Sequence, residues 1–289
     1  GVAPGIATAD FFKSRGTNRI PTGPGRLAHT AFTVPGVVSA FLSLLENYGT
    51  KSIGEVLSPA VYYAQHGIPN YEYMINQLNS PLIWEQFDHY PPGGWDVFYR
   101  DRQLPRPGSL LVQPGLANTL KSMIPPSDNG PRNRGEEIRF ARQTFYQGPV
   151  ARTIAACSQS VGGILSLPDL AGYNAKYDTP VKITFKGYEI SGHSTWTQGP
   201  VLMQVLNILE HFDLWQMGYN SPAYIHTVTE ALKLGLADRE AYYGDPDFAQ
   251  VPIDGLLSKE YAAERANLIH PNIAHPELPP CGNPWSYSK

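Results

Sequence analysis

The sequence predicts an α+β fold, rich in helix and poor in strand, on three observations. Val37, Ala40, Phe41, Leu44, Leu45 and Tyr48 recur at helical spacing, as do Ile225, Val228, Leu232, Leu236 and Tyr243. Val181, Ile183 and Phe185 alternate with Lys182, Thr184 and Lys186, the period of a strand with one buried face. Such alternating stretches are too few to close a sheet. The chain is therefore expected to complete its sheet with another chain or segment.

With 289 residues, 42% of them hydrophobic, the chain can bury a sizeable core, and residues 1–289 are expected to form a single domain. A formal net charge of -3 leaves no basic excess to neutralise phosphates, which argues against nucleic acid as a partner. No apolar run reaches the roughly eighteen residues that a membrane-spanning helix needs. Gly1-Val2-Ala3-Pro4 is neither an initiator Met nor a signal peptide, so an upstream segment is expected. The compartment, periplasmic or secreted against cytoplasmic, stays open.

The elements follow in order. Residues 1–35 read as loop, with a dense turn signal at Thr22-Gly23-Pro24-Gly25. A helix from Val37 to Tyr48 ends at Gly49. Ser52-Ile53-Gly54-Glu55 fits a capping box for the next helix. Ser58-Pro59 restarts that helix with Pro at its first position, and His66-Gly67 closes it. Residues 81–115 are aromatic and turn-rich, and Tyr90-Pro91-Pro92-Gly93-Gly94 excludes regular structure. Ser127 to Arg142 reads as a solvated loop, and Phe145 to Pro149 opens a helix running to about Gln159. Ser166-Leu167-Pro168-Asp169 starts a short capped helix. Lys186-Gly187 turns the strand at Val181 into a hairpin that continues through Tyr188 and Ile190. A strongly apolar helix runs from Val201 to Phe212 behind Pro200. Another starts at Ser221-Pro222, and Gly244-Asp245-Pro246 stops it. From His270 onward Pro and Asn dominate, and a poorly ordered tail is expected.

No self-contained catalytic centre is legible. There is no G-x-S-x-G, no H-E-x-x-H, no phosphate-binding glycine loop and no clustered His/Cys spacing, so no catalytic residue, metal site or cofactor is assigned. Cys157 sits in an apolar helical run and reads as a small buried residue, and Cys281 as free. Asp245-Pro246-Asp247 reads as a helix-stop turn rather than a cation site. The Asp238-Arg239 pair reads as an intra-protein ion pair. His193, Ser194 and Thr195 lie in a loop where a nucleophile pair would need a third orienting group, which the sequence does not name. Trp196 and Gln198 of that loop are the candidates for substrate binding, with packing as the alternative for Trp196.

Four stretches resemble the γ-glutamyltranspeptidase family, in the family's order and across nearly the whole chain. They are Val2-Ala3-Pro4-Gly5-Ile6 with Thr33-Val34-Pro35-Gly36-Val37 and Tyr48-Gly49-Thr50; Phe145-Tyr146-Gln147-Gly148-Pro149 with Gly162-Gly163-Ile164-Leu165 and Asp169-Leu170-Ala171-Gly172-Tyr173; Lys186-Gly187-Tyr188 with Gln204 to Leu214; and Ala237-Asp238-Arg239 through Tyr243-Gly244-Asp245-Pro246-Asp247-Phe248 with Leu256 to Tyr261. The resemblance implies part of an αββα N-terminal-nucleophile hydrolase sandwich, of which this chain is the helix-rich large subunit.

It also implies a precursor that cleaves itself, and a small-subunit partner whose N-terminal Thr is the nucleophile and whose α-amine is the base. In the family that Thr-Thr-His segment follows the region where this chain ends, and no Thr-Thr-His occurs here. The family's α-carboxylate-gripping arginine falls upstream of Gly1. The implied activity is γ-glutamyl transfer or hydrolysis on glutathione-like amides. Two alternatives stand beside it: a cephalosporin-acylase-like or other amidohydrolase, and a non-catalytic structural homologue. Many transpeptidases carry Pro-Pro-Pro-Ser-Ser-Gly-Gly where this chain reads Gly192-His193-Ser194-Thr195-Trp196-Thr197-Gln198-Gly199-Pro200, a departure that bears on the acyl group.

Overall fold

Helices dominate the computed structural model, which describes residues 1–17, 20–21, 27–90, 93–126 and 133–288. The strands among them form only two antiparallel pairs. The chain divides into two units, Gly1–Lys176 and Tyr177–Lys289.

The first unit opens with α1 (Ala9–Ser14), capped by the Thr8 hydroxyl, which accepts from Phe11 N at 3.2 Å. Helix α2 (Val37–Tyr48) ends at Gly49. Helix α3 (Ile53–His66) begins with the capping box: Glu55 N donates to Ser52 Oγ at 3.2 Å, and Ser52 N to the Glu55 carboxylate at 2.9 Å. Pro59 lies inside α3, which corrects the expected restart at Ser58-Pro59. One missing N–H removes one backbone bond, and a helix capped at both ends runs through it. Gly67, at φ 95°, ends α3 in a conformation that suits glycine.

Strand β1 (Ile68–Pro69) pairs with β2 (Leu110–Leu111). Between them lie α4 (Glu72–Leu78), α5 (Pro81–His89) and α6 (Gly94–Phe98), so much of the stretch read as turns is helical. Gly94 opens α6, correcting its place in the irregular run; Pro91 and Pro92 lie outside the described residues, as does the turn signal at residues 22–25. Helix α7 (Pro114–Ser122) follows.

Helix α8 (Arg134–Tyr146) corrects the expected solvated loop, whose residues 127–132 are not described. An Asn133–Glu136 capping box starts it, and Ile138, Ala141 and Tyr146 are buried behind a charged outer face. Few apolar residues on one side of a charged helix leave little periodic signal. Helix α9 (Pro149–Ser160) begins at Pro149 rather than Phe145, and Cys157 on it is exposed, not buried. Helix α10 (Leu167–Ala171) carries the Ser166–Asp169 capping box. Two buried clusters hold this unit: Val34, Tyr146, Ala151 and Leu170, and Leu42, Ile53, Met123 and Ile138.

In the second unit β3 (Val181–Phe185) pairs with β4 (Tyr188–Gly192) in the predicted hairpin, Ile183 facing Ile190. Lys186 and Gly187 both adopt positive φ, as the twist of a two-residue hairpin turn requires. Helix α11 (Gly199–Leu209) and α12 (Leu214–Met217) lead to α13 (Pro222–Tyr242), capped by Ser221. The predicted α13 stripe is corrected in part. Ile225 and Leu232 are exposed, and the helix instead buries Thr227, Glu230, Ala231, Leu234 and Asp238. Helices α14 (Ile253–Leu256) and α15 (Lys259–Ala266) complete the unit. Its core joins Val201, Val205 and Ile208 to Leu234 and Ala262.

The poorly ordered tail is corrected as well. Gly282 N donates to Asp238 at 3.0 Å, Tyr242 OH to Gly282 O at 2.7 Å, and Tyr287 OH to Glu264 at 2.6 Å. Proline and asparagine deny this segment long elements, but side chains of α13 and α15 hold its backbone.

Candidate functional site

The loop between β4 and α11 carries both substrate-binding candidates. Trp196 is half-exposed; its Nε1 donates to Asp178 Oδ2 at 2.9 Å, and its ring packs 5.4 Å from that of His193. Gln198 is the residue before α11, and its Oε1 accepts from the Arg239 guanidinium at 2.5 Å. The loop is tight. Thr197 Oγ1 donates to Ser194 O and accepts from Gly199 N, each at 3.1 Å. A Cβ on Gly199 would stand 2.9 Å from His193 O, so glycine permits the close return of the chain. Thr195 is buried, and its hydroxyl has no hydrogen-bond partner among the described residues.

Trp196 and Gln198 therefore share a loop but answer to different anchors, Asp178 and Arg239. Sequence reasoning did not connect those anchors to the loop, because both lie far from it along the chain. Arg239 also pairs with Glu240. Asp238, its neighbour in sequence, pairs instead with Arg265 at 3.3 Å. The expected pairing within Asp238-Arg239 is corrected: neighbours in sequence point to different sides of α13, and each finds its counter-charge elsewhere, Asp238 on α15. Among the described residues no hydrogen bond joins His193 to Ser194, and the Ser/His nucleophile pair is not assembled.

Beneath the loop, α11 places two polar side chains in the core. Gln204 donates to Asp238 at 3.1 Å and accepts from Tyr243 OH at 2.6 Å. Tyr261 OH donates to the same Asp238 oxygen at 2.9 Å. Burial pushes the Asp238 carboxyl above the usual carboxylate range, against the opposing pull of Arg265. Burial raises the Tyr243 and Tyr261 phenols as well, and the Asp238 charge adds to it, so both stay protonated donors. Asn207 accepts from Lys259 at 2.7 Å, and Lys259 also reaches Glu210 at 2.5 Å. These contacts fix the helix that the loop leads into. They contain no activated hydroxyl or thiol.

The first unit holds a cavity of about 1110 Å³, lined by Asn70, Trp95, Tyr99, Arg102 and Leu111 among others. Arg102 is committed within it, 2.8 Å from Asp88 and over the Trp95 ring. Sequence reasoning marked this stretch only as aromatic and turn-rich. No group of three or more His, Cys, Asp or Glu among the described residues could hold a metal ion. No helix among them is long and apolar enough to cross a membrane.

The described residues thus give helices, two small antiparallel sheets and buried polar ties beneath the candidate loop. Comparison with known proteins gives the family. The family model for gamma-glutamyltranspeptidase matches residues 1–289, and the chain belongs to that family. It is 30% identical to a glutathione hydrolase proenzyme of Bacillus subtilis over 99% of this chain and 46% of the relative. It therefore spans about half the length of the curated relatives it matches. Among solved structures it resembles Helicobacter pylori gamma-glutamyltranspeptidase, with TM-score 0.83, 32% identity and coverage of 96% of this chain and 76% of that one. It resembles a cephalosporin acylase from Bacillus halodurans with TM-score 0.83 and 28% identity, covering 98% of this chain and 49% of that one.

Proposed function

We infer that residues 1–289 are one domain of the large-subunit part of a self-cleaving precursor, whose small subunit completes an αββα sandwich. The mature two-chain protein hydrolyses or transfers an acyl group from an amide, with γ-glutamyl groups of glutathione-like compounds as the first substrate class. The observation that carries this reading is the family match across residues 1–289. The likeness to the Helicobacter pylori enzyme supports it.

In this reading the companion chain's N-terminal Thr hydroxyl attacks the amide carbonyl, and its α-amine takes the proton. The leaving amine receives that proton as its C–N bond breaks, an ester links the acyl group to Thr, and water or a second amine releases it. This chain supplies scaffold and, through Trp196 and Gln198, contacts to substrate.

A second reading, an acylase acting on other acyl groups, is favoured by the Trp196-containing loop and by the likeness to the cephalosporin acylase. Purified two-chain protein assayed on a γ-glutamyl anilide and on simple acyl amides separates the two. Turnover of the anilide supports the first, and turnover of acyl amides alone supports the second. Absence of both, with an intact N-terminal Thr, would leave a non-catalytic homologue.

A further inference from the structure

The cavity of the first unit combines a locked aromatic wall with charges that nothing in the fold answers. The Phe87 ring lies 6.1 Å from that of Trp95 and 6.0 Å from that of Tyr99. Tyr99 is buried, and its OH donates to Leu78 O at 2.6 Å. Trp95 Nε1 donates to Asp88 Oδ1 at 3.0 Å, and Arg102 reaches the same oxygen at 2.8 Å. Arg102 sits on a tight turn, where Gln103 N donates to Arg100 O at 2.9 Å and Asp101 and Arg102 adopt φ 51° and 59°. Glycine suits that conformation, and an arginine held in it, 4.8 Å over the Trp95 ring, is kept for its side chain. Four further charged residues line the cavity: Asp96, Arg100, Asp101 and Arg106. Their side chains have no hydrogen-bond or ionic partner among the described residues. Asn70, also on the lining, is buried. Its Nδ2 donates to Ser109 O and Oγ, each at 3.0 Å, while its Oδ1 has no partner among the described residues.

We propose that this cavity binds a short peptide with both termini free and an apolar side chain. The charges choose the ligand first. Two unmatched guanidiniums and two unmatched carboxylates share the lining, so a ligand of one sign is drawn by one pair and opposed by the other. A neutral ligand gains nothing from either pair. A zwitterion meets both: the forked guanidiniums of Arg100 and Arg106 suit its carboxylate, and Asp96 and Asp101 accept from its ammonium. The aromatic wall chooses the side chain, since Phe87 and Trp95 reward an apolar or aromatic group laid against them. Size then favours a peptide over a single amino acid. The cavity of about 1110 Å³ exceeds the roughly 300–1,000 Å³ of ordinary small-molecule pockets. A peptide N–H is also the kind of donor that Asn70 Oδ1 lacks. The proposal is carried by the first unit alone and does not rest on the amide-cleaving reading.

The test titrates the complete, processed protein by calorimetry with Ala-Phe-Ala, its N-acetyl form and its C-terminal amide. The free peptide should bind about tenfold tighter than either blocked form, because each block removes a charge-assisted contact. Arg100→Gln with Arg106→Gln should weaken the free peptide by about the same factor and leave the amide unaffected. Asp96→Asn with Asp101→Asn should weaken the free peptide likewise and leave the acetylated form unaffected. All four residues are exposed, and asparagine tolerates the left-handed backbone at position 101, so both variants should melt with the parent protein. Ala-(p-benzoylphenylalanine)-Ala, irradiated and mapped by mass spectrometry, locates the ligand, and adducts within residues 87–112 support the proposal. Adducts only elsewhere overturn it, as do equal affinities for the three peptides or variants that bind the free peptide as the parent does. Amide turnover is scored separately. Peptide binding without turnover retires the enzymatic reading and leaves the site standing; turnover without peptide binding in this cavity does the reverse.

Discussion

Helices α2 and α11 are both strongly apolar, yet they meet opposite fates. Helix α11 has its neighbours inside its own unit: Val201, Val205 and Ile208 pack on Leu234 of α13 and Ala262 of α15. Its two buried polar residues, Gln204 and Asn207, are both hydrogen-bonded. Helix α2 keeps Leu42 for its unit and turns Phe41 and Leu44 outward. Hydrophobicity states how much a helix must bury, and the neighbours available decide which side is buried.

The contrast breaks first at Asp238. Asp238→Ala leaves Arg265 in the interior without its counter-charge and should destabilise the second unit by about 3–5 kcal/mol, read from urea unfolding. The Gly282 contact goes with it, so protease cleavage between residues 277 and 288 should rise in parallel. Next, Leu234→Ala removes a fully buried side chain between α11 and α13 and should cost about 2–5 kcal/mol in the same measurement.

Trp196→Phe keeps an aromatic side chain but deletes the indole bond to Asp178, and should cost about 1 kcal/mol of stability. A larger change in KM than in stability would assign the loop to substrate.

A pH scan gives the smallest effect. The Lys186 N–H and then Lys259 hold Glu210 below the usual glutamate range. Burial opposes the same shift at Glu230, but Lys233 and the His275 N–H outweigh it. Both carboxylates are bound more strongly when ionised, so their contribution is complete above the ordinary glutamate value of about 4.3 and is lost as pH falls below it. Glu210→Gln should flatten part of the fall in melting temperature over that acid range. Asp238, raised by burial, has the opposite sign and loses stability as pH rises from the ordinary value toward its own.

What was legible followed from how local each signal is. The capping boxes at Ser52 and Ser166 and the hairpin turn at Lys186-Gly187 involve atoms within a few residues, and they stand where the sequence puts them. Helix α8 was missed because its outer face is charged and its buried residues are few. The anchors of the candidate loop were missed because Asp178 and Arg239 lie 18 and 41 residues from their partners.

The sequence by itself determined the capped starts of α3 and α10, the end of α2 at Gly49, the hairpin and the family, since caps, turns and ordered motifs are properties of neighbouring residues. Only the tertiary structure decided which face each helix buries. It turned α2's apolar stripe outward and exposed Ile225 and Leu232 of α13. It also sent Asp238 to Arg265 and tied down a tail that composition alone describes as loose. Burial and pairing depend on atoms brought together from distant parts of the chain, and a periodic pattern records that a face is apolar without recording what will cover it.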